Sequence, residues 1–108
     1  MKNQWVKKDG YETCLLADDE DLNSPQSDAQ IVKFHKGKFS HYHEVKTEFF
    51  YFISGEGSVI IDDNEQPLKS GSHLLVKPGV RHEFINNSDI PLEAVMFKTN
   101  STVEDTYR

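Results

Sequence analysis

Cysteine is almost missing from this chain of 108 residues; Cys14 stands alone. No intrachain disulfide can form, which excludes a disulfide-stapled secreted scaffold and points to a reducing, cytoplasmic setting. Cys14 sits in the apolar run "ETCLLA", where a buried structural thiol is expected. Long hydrophobic runs are also missing. No stretch approaches the ~20 apolar residues of a membrane-spanning helix, and no apolar segment follows the lysines near the N-terminus as a secretory signal would require. Positive charge is short as well. Twelve Lys and Arg face eighteen Asp and Glu, a net charge of −6. That balance argues against nucleic acid as a general partner, because phosphate binding needs basic patches. Finally, apolar residues recur at three- and four-residue spacing in no long window, so few helices are expected.

Short runs rich in Val, Ile and Phe take the place of helices. They are "QIVKFH" (30–35), "EFFYFIS" (48–54), "SVIID" (58–62), "SHLLVK" (72–77), "HEFIN" (82–86) and "PLEAVMFKT" (91–99). Turn signals separate them: Gly55-Glu56-Gly57, Asp63-Asn64, Pro78-Gly79 and Asn87-Ser88-Asp89. Many short strands at regular spacing predict an all-β sandwich or barrel. The length suits one domain, residues 1–108, with 1–16 as an N-terminal strand extension and 100–108 as a tail. The acidic segment "ADDEDLNSPQSD" (17–28) lacks the spacing and central glycine of a calcium loop and reads as a solvated loop. The runs "FFYFI", "VII" and "LLV" are apolar on both faces. A strand with one wet face should alternate, so a second sheet, the N-terminal strand or a second subunit must cover the outer faces. A homodimer is expected on that ground.

The stretch "SHYHEVKTEFF" (40–50) carries the chemistry. On a strand, side chains two apart share a face, so His41 and His43 project together. Glu48 follows His43 at an odd separation and reaches the same face only if "EVKT" bends the chain into a new strand. With Glu48 inward, Phe50 and Phe52 are inward too, while Phe49, Tyr51 and Ile53 face out. Phe39 shares the face of His41. His82, after the Pro78-Gly79 turn, is the best fourth partner, and Phe84 shares its face. His41, His43, Glu48 and His82 would hold one divalent transition metal ion; three imidazoles and a carboxylate suit Fe, Mn, Co, Ni, Cu or Zn alike. Phe39, Phe50, Phe52 and Phe84 would line an apolar substrate pocket. His35 and His73, at strand ends, are expected at the surface. Arg81 is expected to point away from the ligand face, and Glu93 to face solvent from an edge strand.

These residues resemble the cupin superfamily. Its first motif runs glycine, spacer, HxH, three or four residues, glutamate, six residues, glycine, matched here by Gly37, His41, His43, Glu48 and Gly55. Its second motif is matched in "GSHLLVKPGVRHEFIN" by Gly71, Gly79, His82 and Asn86. Two departures are the short spacer between Gly37 and His41, and Lys77 in place of the first proline; neither touches a ligand position. The resemblance implies a double-stranded β-helix (jelly-roll) barrel, commonly dimeric, holding its metal at the quartet above. That architecture hosts many chemistries. The expected function is a metalloenzyme acting on a small organic molecule by dioxygenase, isomerase or lyase chemistry; the alternative is a non-catalytic binding or sensing module for a sugar or small acid.

Overall fold

The computed structural model describes residues 4–101, with His41 described by its backbone alone. Residues 1–3 of the expected extension and 102–108 of the expected tail lie outside the described residues. Ten strands run in chain order: β1 (Trp5–Lys7), β2 (Tyr11–Ala17), β3 (Asp28–Phe34), β4 (Gly37–His41), β5 (Thr47–Ser54), β6 (Gly57–Ile61), β7 (Asn64–Leu68), β8 (His73–Val76), β9 (His82–Asn86) and β10 (Leu92–Thr99). One short helix, α1 (Asp19–Leu22), lies between β2 and β3. Two antiparallel sheets result, in the orders β1-β2-β3-β10-β5-β8 and β4-β9-β6-β7. This is the all-β arrangement expected from the runs of Val, Ile and Phe, in the jelly-roll form that the resemblance implies.

Between the sheets lies one apolar core built from alternate residues of each strand. Phe50 and Phe52 of β5, Val59 of β6, Phe84 of β9, and Leu92, Ala94 and Met96 of β10 are buried in it. Phe34 stacks on Phe84 at 4.6 Å between ring centroids, and Phe50 meets Phe84 edge-on at 5.1 Å. Such pairs add to the area that each ring buries. The parity set by Glu48 is present in β5: Glu48, Phe50 and Phe52 are buried, whereas Tyr51 and Ile53 are exposed.

Three elements differ from expectation. β7 has no apolar run and was not expected; it is an exposed edge strand carrying Pro67, paired to β6. The turn joining them is Asp62-Asp63, one residue earlier than expected, because both residues adopt left-handed conformations (φ 51° and 65°) and Asn64 begins β7. Two consecutive left-handed residues are what a tight primed hairpin requires. Within the acidic segment, Asp18 caps α1 by accepting from Asp21 N–H, and the Asp21 carboxylate accepts in return from Asp18 N–H. A capping box thus turns part of an expected loop into one helical turn. Among the described residues, no helix is long and apolar enough to cross a membrane.

Candidate metal centre and cavity

β4 ends at His41, so His43 does not share its strand; it reaches inward from the connecting loop, residues 42–46. That loop is fastened to the β8–β9 turn. Gly79 N–H donates to the His43 carbonyl at 2.5 Å, and Gly79 has φ +82°, a conformation that glycine takes without strain. The glycine of the second motif therefore positions the histidine of the first. β5 then carries Glu48 inward, and β9 opens with His82.

His43, Glu48 and His82 converge and are buried, at 2%, 4% and 0% exposure. His43 Nε2 lies 2.9 Å from Glu48 Oε1, and His82 Nε2 lies 3.8 Å from the same oxygen. One ligand atom from each residue falls within 4.8 Å of the others. Ligands about 2.1 Å from an ion sit about 3 Å apart when adjacent and about 4.2 Å when opposite, so these separations fit a shared metal. His82 Nδ1 lies 3.2 Å from the Val80 carbonyl, which can only accept. Nδ1 therefore carries the proton, and in the neutral ring the Nε2 lone pair faces Glu48, the orientation a metal-ligating histidine needs. His41 is the backbone register partner of His82 across β4 and β9; its side chain lies outside the described residues.

Charge follows the same logic. Burial alone would raise the Glu48 carboxyl. The His43 hydrogen bond and the charges of His43, Lys46 and His82 outweigh it and hold Glu48 below its ordinary value. His82 is held below its ordinary value chiefly by burial, and the cationic charges nearby add to this, although Glu48 and the Val80 carbonyl oppose it. A carboxylate and a neutral imidazole are the forms in which metals are bound.

His43 and Glu48 sit in the wall of a cavity of about 460 Å³, with His82 beside Glu48. Phe50, Phe84 and Phe34 form its apolar side. Of the four phenylalanines expected there, Phe52 and Phe39 do not line it. Phe52 belongs to the core one layer beyond Phe50, and Phe39 is held by Tyr11 and Phe34 at 6.0 and 5.6 Å, with Gly10 and Gly37 leaving room for its ring. Phe34 was missed because β3 was read only as an apolar run. Lys46, Lys98, Asp28 and Gln30 also line the cavity and were missed. The inward parity of Met96 would have revealed Lys98, two residues on; Lys46 had no such signal, because it lies in a loop.

The other titratable residues singled out from the sequence lie elsewhere. His35 Nε2 is 2.6 Å from Glu12, and that hydrogen bond lowers the Glu12 carboxyl. His73 is exposed and stacks near Phe49. Arg81 is exposed over the Tyr42 ring at 4.9 Å. Glu93 faces the outer surface, accepting from Ser54 Oγ at 2.7 Å, but from β10, a central strand rather than an edge.

Comparison with known proteins agrees with this geometry. The family model described as "Cupin domain" matches residues 30–98, well over half of the chain. Protein SchB of Streptomyces halstedii is 40% identical over 55 residues, which span 51% of this chain and only 40% of that protein. A predicted oxalate decarboxylase from Thermotoga maritima superposes with a TM-score of 0.75 at 21% identity, over 89% of this chain and 90% of that one. A sugar phosphate isomerase from Silicibacter pomeroyi gives 0.70 at 24%, over 85% and 60%. At such identities the two structures speak for the fold alone.

Proposed function

The chain belongs to the cupin family, and from that premise we propose that it is a small metal-dependent enzyme acting on a small organic molecule. His41, His43, Glu48 and His82 hold one divalent ion in this proposal. The observation that carries it is the burial of His43, Glu48 and His82 around one point, with His43 and Glu48 on a cavity wall. When bound, the ion supplies a Lewis acid that polarises an oxygen of the substrate. The chain's own residues do the rest. The Val80 carbonyl fixes the ring of His82, the Gly79 bond fixes the loop of His43, and Phe34, Phe50 and Phe84 keep water from one side of the substrate. Proteins of this fold named as a predicted oxalate decarboxylase and a sugar phosphate isomerase suggest the lyase and isomerase arms of the proposal, and dioxygenase chemistry is its third arm.

Metal analysis of the purified protein should find about one divalent ion per chain, lost in His82→Ala and His41→Ala. A fully folded, active wild type without metal would overturn the assignment. Loaded with each ion in turn, the protein should then turn over a small acid or sugar derivative, or consume oxygen with one. Binding without turnover would move it to the non-catalytic class.

We also place the protein in the cytoplasm as a homodimer, without nucleic acid or membrane partners. The dimer rests on the outer face of the larger sheet. Tyr51, Ile53, Leu75 and Phe97 stay 40–51% exposed there, covered neither by the second sheet nor by β1 and β2, which extend the far edge of the same sheet.

A further inference from the structure

The loop between β4 and β5 inverts the usual order of burial. Val45 is 51% exposed, whereas Lys46, beside it, is 6% exposed and faces the cavity. Burying a lysine while leaving a valine in water forgoes apolar burial and costs desolvation of an ammonium. Such an arrangement persists where the charge has a use. Lys46 stands close enough for its charge to bear on both Glu48 and His82. A second cation joins it. Lys98 of β10 is the register partner of Glu48 on one side and of Asp28 on the other, and its ammonium lies 3.9 Å from the Asp28 carboxylate. Gln30 Nε2 also donates to Asp28, at 3.1 Å.

We propose that the cavity binds a small carboxylate, whose negative charge is met by Lys46 with Lys98 beside it. This rests on reading the cavity as the ligand site of the proposed enzyme, and it adds the sign and class of the ligand. Near the trio, Lys46 and Lys98 offset Glu48 and Asp28, so a bound divalent ion leaves that region with two positive charges in excess. Across the whole lining, Lys8, Lys46 and Lys98 face Asp18, Asp19, Asp28 and Glu48, so the ion makes the total positive there too. Asp18 is occupied as the cap of α1. A carboxylate would accept charge-assisted hydrogen bonds from an ammonium, and bonds of that kind are the strong ones. Thr13 and Gln30 on the same wall can bond to hydroxyl or keto groups.

The test is calorimetric titration with malonate and with its neutral analogue malonamide, alongside metal analysis of every sample. Wild type should prefer malonate. Lys46→Gln should keep its ion yet bind malonate about ten- to a hundredfold more weakly, while malonamide changes little. Lys46→Arg should recover most of the loss, Lys98→Gln should show a smaller one, and Lys69→Gln, on the surface, none. Lys46→Met serves if Lys46→Gln fails to fold. Metal-loaded Lys46→Gln or Lys46→Met with undiminished malonate binding overturns the proposal, as does wild type without preference for malonate. If wild type binds no ion, the metal assignment falls separately. The same titrations on metal-free protein then decide, a Lys46-dependent preference for malonate supporting the proposal and its absence overturning it.

Discussion

Glu48 and His82 make different demands on the same small volume, and acid separates them. In the metal-free protein, His82 is held below its ordinary value of 6.5 by burial. As pH falls below about 6.5, the unfolded chain takes up that proton and the folded chain does not, so stability falls with pH until the depressed folded value is reached. Glu48 is held below 4.5, so its contribution is present above 4.5 and is lost as pH falls through its lower folded value. Two acid-side losses are therefore expected, each with a slope of at most about 1.4 kcal/mol per pH unit for one proton. Denaturant unfolding of metal-free protein from pH 8 to pH 3 checks this: His82→Gln should remove the upper loss and Glu48→Gln the lower. A flat profile in wild type would contradict both assignments. Saturating metal should add stability that rises with ion concentration, because the ion binds only the folded arrangement.

Glycines at two turns separate backbone strain from crowding among the strands. Gly55 follows β5 with φ +83°, and a Cβ there would run into the Pro91 carbonyl oxygen and lie 2.8 Å from Leu92 Cα, at the start of β10. Gly71, before β8, has φ +94° but nothing within 4 Å. Gly71→Ala should cost about 1–3 kcal/mol from the left-handed conformation alone. Gly55→Ala adds displacement of backbone and should cost about 2–5 kcal/mol. Thermal unfolding of the two variants checks the order; equal losses would mean that the β5–β10 approach is loose. These elements also show what a sequence reveals. β5, β9 and β10 were legible as short runs rich in Val, Ile and Phe, the inward parity of β5 was legible by counting from Glu48, and Gly55 was legible as a turn. β7 was not, since an exposed edge strand needs only its partner's backbone and "NEQPL" carries no period. Within the site, His43, Glu48 and His82 were found from spacing, although His43 lies in a loop rather than on a strand. Lys46 was hidden because no periodicity governs a five-residue loop, and the loop is fastened at His43 by the Gly79 contact, which joins residues far apart in the chain.

At the scale of the whole molecule, the two sheets bury each other's inner faces and leave one outer face apolar. Register places Leu75, Phe49 and Phe97 in one row across β8, β5 and β10, and His73, Tyr51 and Val95 in the next. At the far edge, Trp5 is shielded in part by Lys33, whose ammonium lies 4.2 Å from its ring centroid. Tyr51, Ile53, Leu75 and Phe97, on β5, β8 and β10, are 40–51% exposed. A contiguous apolar patch of this kind marks an interaction surface more often than a free one. A flat sheet face repeated on an identical chain meets itself across a two-fold axis, because each residue of the patch then finds an apolar counterpart. Sedimentation at micromolar concentration should therefore give twice the chain mass of 12.4 kDa. Phe97→Glu and Tyr51→Glu each bury a carboxylate in such an interface and should yield monomers, with metal content unchanged because neither residue lines the cavity. A monomeric wild type would refute the dimer and leave the metal centre standing. Monomers that also lost their metal would show that the paired sheets hold β5, and with it Glu48, in place.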